Sequence, residues 1–139
     1  MGRFRHRLRV LEALALLLVA RVLRVLVPMR RWSRVLGPTG APTAETVPGA
    51  PTGAEADVSR AVVSGSYRLR SNCLEQAFAA TVMLRARGRR GVVVIGLDRA
   101  DPSAAPHAWL VAPSGRVVVG AEVMDRYVPV SQFGRPAGS

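Results

Sequence analysis

The hydrophobic period of this chain changes once, near Gly88, and that change fixes the fold class. Before it, Leu74, Ala77, Phe78, Thr81 and Leu84 recur at helical spacing and Gly88 reads as the stop. After it, residues 91–96 read Gly-Val-Val-Val-Ile-Gly, a β-branched run of buried-strand type. Residues 107–111 form the next strand, and Pro113-Ser114-Gly115 turns it back into 116–119 as a hairpin. Residues 127–130 make a short last strand, whose Pro129 favours an edge. Helices first and meandering strands afterwards predict an α+β domain with an antiparallel sheet.

Residues 1–37 open with alternating arginines and continue into a leucine-rich run. A basic stretch before an apolar one resembles an export signal, but Glu12 interrupts it and Arg21 and Arg24 follow closely. The uncharged run 13–20 is far shorter than the ~20 residues a spanning helix needs. Leu11, Ala15, Leu18, Val22, Val25 and Leu26 share one face, with Leu16, Leu17 and Leu23 elsewhere. This is an amphipathic helix with apolar surface to spare, ended near Pro28 and expected to pack on the domain. The surplus, at Leu16 and Leu17 with the basic Arg30-Arg31-Trp32 behind it, is the expected docking site for a partner.

Residues 38–57 hold four Pro, three Gly and no large apolar side chain beyond Val47. Too little surface can be buried here to offset ordering, so a flexible linker is expected. That divides the chain into an N-terminal helical segment (1–37), a linker (38–57) and a core (58–139), one domain overall at 139 residues. The formal charge is +11, every basic residue being Arg. Such a balance raises nucleic acid as a partner, but no arginine stripe is interleaved with stacking aromatics. No nucleic acid is expected; an anionic membrane surface or an acidic protein explains the charge as well. One cysteine precludes an internal disulfide, so nothing points to an oxidising compartment and the cytoplasm is expected.

That cysteine, Cys73, stands where Ser71 and Asn72 cap a helix start. Free N–H groups and the positive helix end favour a thiolate there, although a lone cysteine is more often a small inert hydrophobe. His107 opens an apolar strand downstream, which completes the Cys/His pairing of a nucleophile with its base. With only these two soft side chains there is no metal-ligand set, and no cofactor is expected.

Five stretches then form an ordered series: Cys73-Leu-Glu-Gln-Ala77, Leu84-Arg-Ala-Arg-Gly88, Val93-Val-Ile-Gly96, His107-Ala-Trp109 and Gly115-Arg-Val-Val118. With the leucine-rich helix before them, they resemble the lasso-peptide leader peptidases, small transglutaminase-like cysteine proteases. The resemblance implies a transglutaminase-like or papain-like core and hydrolysis of the amide joining leader to core in a precursor peptide. It also implies two separate partners, a leader-recognition protein and an ATP-dependent cyclase. Cys73 would be the nucleophile and His107 the base. The family's third member is an acid, usually Asp, on the strand after His-Ala-Trp. Gly120 stands near that place, leaving Glu122 as the nearest carboxylate and Asp125 as the alternative. Asn72, Leu74 and Trp109 would border the site, with the Cys73 N–H as an oxyanion donor. Two other readings stay open: acyl transfer to an amine on the same fold, and a non-catalytic basic adaptor binding membrane or protein.

Overall fold

The computed structural model describes residues 2–26, 36–122 and 124–134. Arg30, Arg31 and Trp32, expected at a docking site, lie outside them. Of three helices, α1 (Gly2–Leu26), α2 (Gly53–Leu69) and α3 (Cys73–Ala86), the last two pack on one face of a five-stranded sheet and α1 packs against both of them. Its strands are β1 (Thr39–Gly40), β2 (Val92–Asp98), β3 (His107–Val111), β4 (Val117–Val119) and β5 (Tyr127–Phe133), in the order β1-β5-β2-β3-β4. Every pairing is antiparallel, so the α+β architecture read from the change of period is the one adopted.

Alternation along the strands sorts the core into two layers. Val93, Ala108, Leu110, Val119 and Phe133 point at the helices and meet Phe78, Ala80, Met83 and Leu84 of α3. Val92, Val94, Trp109 and Val111 point the other way, against Ala44, Val117, Met124 and Tyr127.

Ala44 belongs to the stretch expected to be a linker. Instead of hanging free, 38–51 runs as an extended strap over the outer face of the sheet. The Gln132 side chain accepts from the N–H of Thr43 (2.8 Å) and of Ala44 (3.0 Å) and donates to Thr43 Oγ1 (3.1 Å). Farther on, the Val47 N–H donates to the Gly115 carbonyl (2.8 Å) and Arg116 to that of Ala50 (2.8 Å). Hydrogen bonds to distant strands thus supply the order that its own composition cannot. The last residues of the expected linker, from Gly53, already belong to α2.

α2 carries Asp57, which pairs with Arg60 (2.6 Å) and with Arg9 of α1 (3.5 Å). Gly65 does not break it. A Cβ there would lie 3.1 Å from Leu17 Cδ1, so the missing side chain is what lets α1 approach. This close approach selects the packed face of α1: Val10, Ala13, Leu17 and Ala20 are buried. The face carrying Leu11, Leu18, Val22, Val25 and Leu26 is exposed. Leu17 is fully buried and Leu16 partly so, packed on the same core. Leu17 is therefore unavailable as a docking residue, and the outward surface lies on the opposite side of the helix. Among the described residues no helix is long and apolar enough to cross a membrane.

Candidate active site

Asn72 builds the start of α3. Its side chain accepts from the Glu75 N–H (2.8 Å), and the Glu75 carboxylate accepts from the Asn72 N–H (3.1 Å), closing a reciprocal capping box. Glu75 is buried at 1 % exposure and takes Arg24 Nε at 3.0 Å and Arg21 Nη2 at 3.5 Å. Burial alone would raise its pKa, but hydrogen bonds from Arg24, the Asn72 backbone and Arg21 outweigh it and hold the carboxyl below its usual range. Arg21 also donates to the Leu69 carbonyl, so α1 clamps both the end of α2 and the beginning of α3.

Cys73 is thereby fixed as the first residue of α3, half-buried and free of any disulfide. At this position it and Leu74 carry N–H groups with no carbonyl one turn back to bond, so these donors are left for a developing negative charge. The Leu74 side chain packs on the core instead of bordering an opening. Cys73 Sγ reaches across to β3, where the N–H of Ala108 donates to it at 3.3 Å. That amide follows directly on His107, so helix start and strand start meet at one point.

His107 is held on three sides. Its Nε2 lies 2.9 Å from the Gly120 carbonyl oxygen, just beyond the end of β4. Tyr127 stacks on the ring with centroids 4.9 Å apart, and Trp109 lies at 5.9 Å on the same strand. Gly96, opposite His107 in the ladder, clears the space: a Cβ there would come within 2.9 Å of both the Trp109 ring and Tyr127 Cβ. No local sequence signal links Tyr127 to His107, because the two stand on different strands.

The acids expected to orient His107 do not reach it. Glu122 and Asp125 are exposed, and neither bonds to the ring. The hydrogen-bond partner of the ring is instead the Gly120 main-chain oxygen. No hydrogen bond among the described residues joins Sγ to the imidazole, and Nδ1 makes none. A cleft of about 610 Å³ passes Gly120, walled by the strap at Val47 and Pro48, by Val63 of α2, and by Glu122 and Asp125. A larger hollow of about 820 Å³ lies at the opposite end of α3, between Arg85, Gly88 and Gly134, away from this chemistry. Among the described residues no group of three or more His, Cys, Asp or Glu side chains could hold a metal ion.

The chain thus presents a helix that opens on cysteine, packed on an antiparallel sheet with histidine at the start of a neighbouring strand. Residues 14–132 match the family model of the transglutaminase-like superfamily, and the chain belongs to it. That superfamily includes cysteine proteases and acyltransferases, typically with a Cys-His-Asp site. No curated protein and no solved structure is significantly similar to the chain.

Proposed function

We propose that this protein is a cysteine peptidase that removes the leader from the precursor of a ribosomally made lasso peptide, working in the cytoplasm. The observation that carries the reading is the meeting of Cys73 Sγ with the amide after His107, at a helix start that leaves N–H groups free. His107 takes the thiol proton as Sγ attacks the amide carbonyl between leader and core. The Cys73 N–H stabilises the resulting oxyanion, and the amine of the core leaves with the proton His107 holds. The leader remains as a thioester on Cys73. Water, deprotonated by His107, then attacks the thioester carbonyl; the leader departs as a carboxylate and the thiol is restored.

The five ordered sequence stretches narrow the substrate from amides in general to such a precursor. The same resemblance supports two partners, a separate leader-recognition protein and an ATP-dependent cyclase that closes the macrolactam. The exposed side of α1, with Phe4, Leu8, Leu11, Leu18 and Val22, is the surface on which the recognition protein docks in this reading.

The test is cleavage of a precursor followed by mass spectrometry, with and without the recognition protein. Hydrolysis adds one water across the cut bond, whereas acyl transfer gives a leader amide. Cleavage is expected to be weak alone and strong with the recognition protein, with Leu11→Ser and Leu18→Ser reducing the acceleration more than the basal rate. Equal rates in both conditions would show that the chain reads its leader unaided. A leader amide as the sole product would make it an acyltransferase.

A further inference from the structure

We propose that the main-chain carbonyl of Gly120, and not a carboxylate, is the group that positions His107. It does so by fixing the tautomer that leaves Nδ1 as the base for Cys73. The part concerning Cys73 rests on the peptidase reading above; the part concerning the tautomer does not.

A carbonyl oxygen can only accept, so the 2.9 Å contact puts the hydrogen of the neutral imidazole on Nε2. Nδ1 then carries the bare lone pair, and it makes no hydrogen bond among the described residues. Stacking on Tyr127 and on Trp109 restrains the ring plane, so rotation about the Cβ–Cγ bond would cost both the contact and the stack.

Position 120 also excludes the acid that the superfamily usually supplies. Gly120 has φ +90°, and a Cβ there would lie 2.7 Å from both the Ala108 carbonyl oxygen and Trp109 Cβ. Both atoms belong to β3 and are fixed by its backbone, so no side-chain rotamer relieves the clash. An aspartate cannot be accommodated without shifting the strand that carries His107, and the absent side chain brings the carbonyl close enough to replace it.

The proton balance is complete with this one neutral acceptor. The thiol proton passes from Sγ to Nδ1 while Nε2–H stays on the Gly120 oxygen. Nδ1–H then protonates the leaving nitrogen, and the ring returns to its starting tautomer. The imidazolium formed between these steps faces a carbonyl dipole instead of a full negative charge. No ionisation of a partner acid therefore enters the pH dependence.

The test uses the full chain with ¹⁵N-labelled histidine rings, His107 being assigned by comparison with a His6→Gln variant. Above the ionisation of the ring, Nε2 is expected to be protonated and Nδ1 bare. An Nδ1–H tautomer, or the mixture of a free histidine, would overturn the proposal. Alkylation of Cys73 by iodoacetamide supplies a second readout that needs no substrate. Glu122→Gln and Asp125→Asn are expected to leave its rate within about threefold, and its pH profile unmoved. A fall beyond about tenfold in either variant would return the role to an acid and overturn the proposal. The two hypotheses separate cleanly. An Nε2–H ring in a chain that cleaves no precursor keeps the positioning and removes the peptidase; cleavage with an Nδ1–H ring does the reverse.

Discussion

Glu75 joins α1 to the start of α3 through one carboxylate, and its charge matters more than its size. Its pKa is lowered in the folded chain despite burial, because Arg24, the Asn72 N–H and Arg21 all favour the anion. A group depressed in this way contributes stability above its unfolded pKa, and that contribution is lost as pH falls through the folded value. Stability should therefore decline on the acid side of the usual glutamate range, and Glu75→Gln should flatten that decline. Glutamine can still accept from the Asn72 N–H, and both arginines can turn to solvent. The loss at neutral pH is therefore expected at about 1–3 kcal/mol, read from urea unfolding at several pH values. A Glu75→Gln variant with the full acid-side slope would place that pH dependence elsewhere. Gly120 acts at the same scale in the opposite manner, through what it lacks. Gly120→Ala combines a positive φ with a clash against β3 and is expected to cost roughly 2–4 kcal/mol in the same measurement.

α1 shows why a helix rich in leucine is hard to orient from its sequence. Apolar residues occupy two opposed faces, so periodicity alone did not say which would pack. The choice came from small residues: Ala13 and Ala20 on α1 and Gly65 on α2 allow close approach on one side only. Leu17 and Leu18 are neighbours in sequence with opposite fates, one fully buried and one about half exposed at 49 %. Leu17→Ala is expected to destabilise by ~2–5 kcal/mol and Leu18→Ser by no more than ~0.5 kcal/mol, measured as denaturation midpoints. Equal losses would mean that both faces of α1 are covered in the isolated protein. The strands were plainer, since β-branched runs between Gly and Pro turns admit few other conformations.

At the scale of the whole chain, what escaped the sequence was order supplied from far away. The strap depends on Gln132, which lies 89 residues beyond Thr43, and Glu75 depends on Arg21 and Arg24, 54 and 51 residues before it. No local pattern carries such partners. The Cys73 and His107 positions were legible because helix capping and strand composition are local. The orienting group was not, because a backbone oxygen leaves no mark in a sequence except the glycine that bears it. The strap also walls the cleft beside Gly120. Gln132→Ala leaves the Thr43 and Ala44 N–H groups without their acceptor. Hydrogen exchange at 43–47 is expected to accelerate in this variant. Unchanged exchange would show that packing of Ala44 alone holds the strap. The most direct test of Cys73 as the nucleophile of a leader peptidase is the mass of the protein after an acid quench during turnover of its precursor. An adduct equal to the leader acyl group, labile to hydroxylamine and missing from Cys73→Ala together with cleavage, is the expected result. Cleavage by Cys73→Ala at a rate near that of the wild type would contradict it.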